Sequence, residues 1–163
     1  MGSYAAERYW QNPAGIRSSL RLSFNGGSLR MPAYGETYRA VSGRHTRAGF
    51  DYSVDRQRLP NEGPIPEGTY WVAPSELWDN AWYKAAPTSA WGNYRLTIHP
   101  FPETETYGRG GFFIHGGRVP GSAGCIDLWQ DMDRFAADLR RHVYDPTMMY
   151  CILTVDYHLA FRK

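Results

Sequence analysis

A glycine-rich segment between two predicted regular elements constrains this chain most strongly. Seven glycines lie from Gly108 to Gly124, and residues 111–128 read GFFIHGGRVPGSAGCIDL. The apolar residues before His115 are typical of a buried strand, and the residues from Ile126 onward predict a helix. Glycine is concentrated where a backbone bends sharply or approaches a ligand closely. The segment therefore predicts a shaped loop that joins the end of a strand to the start of a helix.

This loop carries a histidine and a cysteine, His115 and Cys125. A thiol attacks as its thiolate, and a neighbouring imidazole is the usual means of forming it near neutral pH. The predicted helix start would also place Cys125 at the positive end of a helix dipole, which favours a negative sulfur. The two residues are thus a candidate nucleophile and base. The alternative is that Cys125 is a small core residue, as we predict for Cys151 in its apolar run.

Composition limits the classes of protein that fit. The chain has 163 residues, 42% hydrophobic and 21% charged, which predicts a single globular domain over residues 1–163. A net charge of +2 without a long basic run argues against a nucleic-acid partner. No apolar run predicts membrane insertion, and the N-terminus lacks the pattern of a signal peptide. Since no metal-binding motif is present, no metal or cofactor is expected.

Strand patterns dominate the chain. Leu20, Leu22 and Phe24 alternate with polar residues, and a turn at Asn25 leads into a second alternating run, which predicts a hairpin. Further strands are predicted over 36–42, 69–73, 94–98, 111–114 and 150–157. One helix is predicted, with Asp127 as its N-cap and an apolar stripe of Leu128, Met132, Phe135, Leu139 and Val143. The predicted fold class is mainly β, with one principal helix after Cys125.

A second motif completes a family resemblance. Residues 61–70 read NEGPIPEGTY, in which two prolines predict a stiff turn that leads into a strand. Together with His-Gly and Ser-x-Gly-Cys-Ile, this motif resembles the L,D-transpeptidase effectors of type VI secretion systems, a divergent branch of the YkuD-type L,D-transpeptidases. The likeness extends from about Leu20 to about Tyr157. It implies a β-rich catalytic domain that acts on peptidoglycan stem peptides.

The resemblance also implies roles for individual residues. Cys125 would be the nucleophile and His115 its base, with a backbone carbonyl near the histidine, assigned to Gly116, as the third member. Ser122 and Gly124 would support the loop, and the N–H groups around Gly124 and Cys125 would bind the oxyanion.

The chain departs from the larger family in three ways. Its loop between histidine and cysteine is shorter, and Ala123 stands where a histidine or lysine is common. Asp127 replaces an arginine that often follows the cysteine by two positions. Arg118, within the loop, is then the candidate for binding the substrate carboxylate.

The implied activity is trimming of tetrapeptide stems as an L,D-carboxypeptidase and exchange of the terminal D-amino acid as an L,D-transpeptidase. The chain would be made in the cytoplasm without a signal peptide and delivered by type VI secretion components. It would act in the periplasm of a target cell, and a cognate periplasmic immunity protein would protect the producer.

Three other classes stay open on the sequence alone. An NlpC/P60-type or papain-like peptidase would take its histidine from downstream, where His158 lies. A housekeeping transpeptidase of the same chemistry would need export. A non-catalytic wall-binding module would account for the tryptophans between Trp71 and Trp91, which we otherwise assign mainly to packing.

Overall fold

The computed structural model describes residues 17–79, 94–117, 122–143, 145–147 and 149–158. In these residues the chain forms ten strands and two α-helices. The strands are β1 (Arg17–Phe24), β2 (Ser28–Met31), β3 (Glu36–Arg39), β4 (Val41–Ser42), β5 (Gly68–Val72), β6 (Trp78–Asp79), β7 (Tyr94–Pro100), β8 (Phe112–His115), β9 (Ile126–Asp127) and β10 (Met149–Val155). The helices are α1 (Val54–Gln57) and α2 (Met132–His142). Short 3₁₀ turns span Pro32–Tyr34, Pro74–Glu76 and Trp129–Asp131.

All ten strands belong to one sheet. Its order is β3-β2-β1-β10-β5-β7-β8-β9-β4, and β6 pairs with β7 beside this path. The pairs β1–β10 and β8–β9 are parallel, and the other pairs are antiparallel. The mainly β class with one principal helix after Cys125 is confirmed.

The predicted hairpin is present. β1 and β2 are antiparallel, and Phe24 pairs with Leu29. The side-chain oxygen of Asn25 accepts hydrogen bonds from the N–H groups of Gly27 and Ser28, which closes the turn. The alternating apolar residues of both strands are buried, as a half-buried strand pattern requires.

One predicted strand is divided in the structure. The pattern over residues 36–42 indicated a single element, but β3 pairs with β2 whereas β4 pairs with β9. Ala40 separates them, and its N–H bonds to the carbonyl of Gly27. The division matters because β4 leaves the hairpin and joins the strand that follows Cys125.

Helix α2 packs its apolar stripe into the core. The five predicted stripe residues are all buried, although the helix itself includes only Met132, Phe135 and Leu139. A buried hydrogen bond of 2.7 Å from the Tyr38 hydroxyl to Asp138 fixes the helix against β3. Cys151 is buried in β10 within the same core. Within the described residues, no helix is long and apolar enough to cross a bilayer.

The tryptophan-rich segment is described in part. Trp71 is buried and stacks on His99, with ring centroids 4.0 Å apart. The guanidinium of Arg95 lies 4.4 Å from the ring centroid of Trp78. Trp82 and Trp91 lie outside the described residues.

Candidate active site

Pairing of β8 with β9 brings His115 and Cys125 to one face of the sheet. His115 pairs with Asp127 and Ile114 with Ile126, so Cys125, directly before β9, is level with Phe113. Side chains alternate between faces along a strand, so His115 and Cys125 both lie opposite the core side chains of Ile114 and Ile126. Strand spacing of about 4.8 Å and a rise of about 3.3 Å per residue separate their Cα atoms by about 8 Å. Both side chains are buried, with 4% and 6% exposed.

The neighbouring backbone fixes the orientation and tautomer of His115. Nδ1 of His115 lies 2.7 Å from the carbonyl oxygen of Gly116. Because a carbonyl oxygen only accepts, Nδ1 carries the proton, and Nε2 is the unprotonated nitrogen of the neutral ring. A Cβ on Gly116 would lie 2.8 Å from the carbonyl oxygen of Trp129. Because residue 116 is a glycine, its backbone can lie close to the 3₁₀ turn Trp129–Asp131 that precedes α2.

The surroundings of Cys125 in the resting site oppose ionisation of the thiol, which we predicted to be activated as a thiolate. The pKa of the thiol is raised to about 11, with burial as the largest cause and the Asp127 carboxylate as a smaller one. The N–H of Phe113 and the charge of Arg109 lower it. The carbonyl oxygen of Gly111 lies 4.0 Å from Sγ. In the resting site the sulfur therefore carries its proton near neutral pH.

The predicted helix start after Cys125 was also wrong. Ile126 and Asp127 form strand β9, a 3₁₀ turn follows, and α2 begins at Met132. Cys125 is thus seven residues before the helix and does not lie at its N-terminus. Asp127 is not the N-cap. Its carboxylate accepts the N–H of Trp129, 2.8 Å away, and only 1% of the residue is exposed.

Ser122 and Gly124 shape the backbone around the cysteine. The Ser122 hydroxyl donates to the carbonyl of Cys125 at 2.7 Å, and the Ser122 N–H donates to the carbonyl of Gly43. Gly124 has φ of +96°, a conformation that strongly favours glycine. Arg118, the predicted carboxylate-binding residue, lies outside the described residues.

Residues 63–66, Gly-Pro-Ile-Pro, form a buried turn, which we call the GPIP turn. Each of its four carbonyl groups accepts a hydrogen bond from a side chain. Arg109 donates to the carbonyls of Gly63 and Pro64, at 2.9 and 2.7 Å. The Tyr157 hydroxyl donates to the carbonyl of Ile65, and the Tyr70 hydroxyl donates to that of Pro66. A buried loop must satisfy its polar backbone groups, and this one does so through residues far away in the sequence.

The turn also supports the cysteine loop through strand β4. The Ser42 hydroxyl accepts the N–H of Ile65 at 2.8 Å, while Ser42 pairs with Ile126 in the sheet. A Cβ on Gly43 would lie 2.8 Å from the backbone nitrogen of Pro64. The two motifs that carry the family resemblance are therefore in contact through residues 42 and 43.

The model of the Tlde1 domain matches residues 36–148. The chain belongs to the Tlde1 domain family. This is the family of type VI secretion effectors of the L,D-transpeptidase type, so the family expectation from the sequence is confirmed.

The fold is similar to that of a solved structure from Bdellovibrio bacteriovorus, the protein Bd1075. The TM-score is 0.52 at 18% sequence identity, over 86% of this chain and 49% of that one. The chain thus spans about half the length of the Bd1075 structure. At this identity the likeness concerns the fold alone. No curated protein sequence gives a significant match.

A groove of about 700 Å³ approaches the thiol of the Tlde1 domain from one side. Its walls include Thr97, His99, Phe101 and Arg109, and it extends to Gly111, whose carbonyl faces the sulfur of Cys125. A second groove of similar volume is lined by residues including Tyr52 and His158. Neither groove includes His115 or Cys125 in its walls, but the first extends to Gly111 beside the sulfur of Cys125, so the first is the better candidate for substrate.

Two arginines at the site of the Tlde1 domain were missed by sequence reasoning. Arg95 pairs directly with His115 across β7 and β8, and its guanidinium lies over the rings of Trp78 and Phe113. Arg109 connects the GPIP turn to the cysteine loop. Alternation along β7 could have placed Arg95 on one face, but nothing local in the sequence indicates its partner strand.

His158, the histidine of the papain-like alternative, lies elsewhere. Its ring is largely exposed, and Nε2 lies 3.8 Å from a carboxylate oxygen of Glu67. Of His115 and His158, His115 is the one that lies on the sheet face of Cys125.

Proposed function

We propose that this Tlde1 domain removes and exchanges the terminal D-amino acid of peptidoglycan tetrapeptide stems by cysteine acyl transfer. The observation that carries the proposal is the hydrogen bond between His115 Nδ1 and the carbonyl of Gly116, on the same sheet face as Cys125. This bond leaves Nε2 as the basic nitrogen. A backbone carbonyl then orients the base, and no triad aspartate is needed.

In the first step, Cys125 acts as a general-base-assisted nucleophile. The thiol loses its proton to Nε2 of His115 as the sulfur attacks the carbonyl carbon between the L-centre of diaminopimelate and the D-amino acid. Burial raises the pKa of the resting thiol, so we propose that transfer of its proton to His115 accompanies the attack. The N–H groups at Gly124 and Cys125 are the proposed donors to the oxyanion.

In the second step, the tetrahedral intermediate collapses. The C–N bond breaks, the imidazolium of His115 donates its proton to the leaving amine, and a thioester to Cys125 stays behind. Water attacks this thioester to complete carboxypeptidase trimming. The amine of a free D-amino acid attacks it to complete exchange, and His115 again accepts the proton of the attacking group.

Ser122 and Gly124 are proposed to support this chemistry through the backbone. The bond from the Ser122 hydroxyl to the Cys125 carbonyl restrains the peptide that follows the nucleophile. Asp127 is buried at the position level with His115. The relationship to YkuD-type enzymes and the single domain over residues 1–163 stay predictions.

The site of action follows from the substrate. Stem peptides lie outside the cytoplasmic membrane, so we propose synthesis in the cytoplasm, delivery by type VI secretion components and action in the target periplasm. The proposed partner is a cognate periplasmic immunity protein that covers the cleft at Cys125.

The test is digestion of purified disaccharide-tetrapeptides, with products identified by mass. We expect loss of the terminal D-amino acid with the wild-type chain, and exchange when a different D-amino acid is added. Cys125→Ala and His115→Ala should each lower the rate by several orders of magnitude, because each removes one member of a coupled pair.

Cys151→Ala is the matched control, because Cys151 is the other buried thiol and lies in the core strand β10. It should leave turnover nearly unchanged. Full activity of a folded Cys125→Ala variant would exclude the thiol mechanism. Cleavage between D-glutamate and diaminopimelate would instead support an NlpC/P60-type peptidase. Binding without any product would support the wall-binding module.

A further inference from the structure

Among the described residues, Arg109 is a cation that lies directly beside Gly124, the residue before Cys125. Its guanidinium donates to three backbone carbonyls, those of Gln57, Gly63 and Pro64, at 2.5 to 2.9 Å. Its carbon Cζ lies 5.8 Å from the ring centroid of Phe112. These contacts hold a half-buried positive charge in a fixed position between the GPIP turn and strand β8.

The same guanidinium contacts the residue before the nucleophile. A Cβ on Gly124 would lie 2.6 Å from Nη2 of Arg109, so the glycine lets the guanidinium lie close to the backbone beside Cys125. Arg109 also lines the groove that ends at Gly111, beside the sulfur of Cys125. The positive charge therefore lies at the junction of the groove and the nucleophile.

The partners of this cation are neutral. None of the ion pairs among the described residues includes Arg109, and its hydrogen bonds go to carbonyl oxygens. Burial lowers the pKa of Arg109, while Tyr70, Tyr157 and Cys125 act to raise it. Burial raises the pKa values of Tyr70 and Tyr157, so neither phenol is an anion at neutral pH. Of these three groups, the thiol of Cys125 is the one whose ionised form the reaction uses.

We propose that Arg109 is a positioning residue that holds the cysteine loop on the GPIP turn and stabilises negative charge as it develops on the sulfur of Cys125. The role resolves a conflict within the site, where burial and the Asp127 carboxylate both oppose a negative sulfur. His115 takes the proton, and Arg109 supplies a fixed positive charge beside Gly124, the residue before the nucleophile. The proposal rests on the proposed function only in naming Cys125 as the nucleophile.

The test is the pH dependence of alkylation of Cys125 by iodoacetamide, which needs no substrate. Cys151→Ala serves as the background, so that a single thiol is measured. In Arg109→Gln, the rate at fixed pH below the thiol pKa should fall about tenfold, which corresponds to one unit of pKa. Arg109→Lys keeps the charge but loses the planar fork, so its alkylation rate should lie between that of the Cys151→Ala parent and that of Arg109→Gln.

Arg134→Gln is the matched control. Arg134 also donates to a backbone carbonyl and lies over an aromatic ring, that of Tyr38, but it is not among the charges that act on Cys125. Its alkylation profile should match that of the parent. Melting curves of all variants identify any change that arises from loss of the fold.

Three outcomes would overturn the proposal. A folded Arg109→Gln variant with the parent profile would show that the charge does not act on the sulfur. Equal rates in the Gln and Lys variants would assign the effect to hydrogen bonding alone. A parent profile combined with a raised KM for stem peptides would make Arg109 a substrate-binding residue. Because alkylation is independent of turnover, these results stay interpretable even if stem peptides are not cleaved.

Discussion

At the scale of single residues, the site combines an oriented base with a thiol that is protonated at rest. Burial raises the pKa of Cys125 to about 11, above the ordinary thiol value of about 8.5. A raised pKa stabilises the folded state fully below the ordinary value, and this contribution is lost as pH rises towards 11. Folding thus favours the neutral thiol, and in the proposed mechanism His115 accepts the proton during the attack.

Substrate recognition is a second question at this scale. Arg118 stays our proposed carboxylate-binding residue. If it pairs with the terminal carboxylate of the stem, Arg118→Ala should raise KM about 10- to 100-fold, since a charge-assisted hydrogen bond contributes roughly 1.5–3 kcal/mol. The turnover number kcat should change less. Steady-state kinetics with tetrapeptide stems measures both constants.

The control for this prediction is Arg47→Ala, which removes an exposed loop arginine elsewhere in the chain. It should leave KM unchanged. A stem with a C-terminal amide should bind the wild-type chain as weakly as the acid binds Arg118→Ala. An unchanged KM in Arg118→Ala would show that Arg118 does not bind the substrate carboxylate. Arg95, which pairs with His115 across the two strands, would then be the next candidate.

At the scale of secondary-structure elements, patterns with local causes were predictable from the sequence. The hairpin follows from alternation and turn chemistry within a dozen residues. The stripe from Leu128 to Val143 predicted helix α2. The start of α2 was wrong because Ile126 and Asp127 pair with β4 and β8, and neither partner can be identified from local periodicity. Tertiary pairing outweighs helical propensity at these two positions.

The residues of the candidate site likewise fall into those that a local motif identifies and those that only the tertiary structure identifies. His115, Gly116 and Cys125 lie in one short segment, so sequence motifs could identify them. The guanidinium of Arg109 donates hydrogen bonds to the carbonyls of Gly63 and Pro64, more than forty residues earlier in the chain. Only the folded structure brings these residues together. The thiol pKa could not be predicted either, because burial is its main cause and burial is a property of the whole fold.

The GPIP turn gives a prediction about stability. Tyr70→Phe removes the hydroxyl that bonds to the Pro66 carbonyl at 2.6 Å, inside the core. The buried carbonyl would lose its partner, so the free energy of unfolding should fall by about 1–3 kcal/mol. Urea denaturation measures this difference. Tyr34→Phe is the control, since Tyr34 is 47% exposed and its substitution should change the free energy little.

Equal stability of Tyr70→Phe and the wild-type chain would mean that the turn does not depend on this bond. A loss of activity in the folded variant at full thiol reactivity would show that the turn also shapes the substrate groove. A parallel fall in activity and in thiol reactivity would show that the turn supports the cysteine loop through strand β4.

At the scale of the whole molecule, the sheet extends beyond the family match. The Tlde1 model ends at residue 148, but β10 (Met149–Val155) lies between β1 and β5 near the middle of the sheet order. β1 and β2 also precede residue 36, and their apolar side chains belong to the same core as helix α2. The segment with His115 and Cys125 is therefore part of a sheet that includes strands from both sides of the matched residues.

The last prediction concerns where the chain is toxic. Because its proposed substrate lies in the periplasm, expression in the cytoplasm of a susceptible bacterium should leave growth unchanged, and expression with an export signal should stop it. Toxicity should disappear with Cys125→Ala and persist with Cys151→Ala, at equal protein levels. Co-export of the cognate immunity protein should also restore growth. Growth curves and the mass profile of wall peptides provide the measurement. Equal toxicity of the cytoplasmic form, or of Cys125→Ala, would indicate a target other than stem peptides.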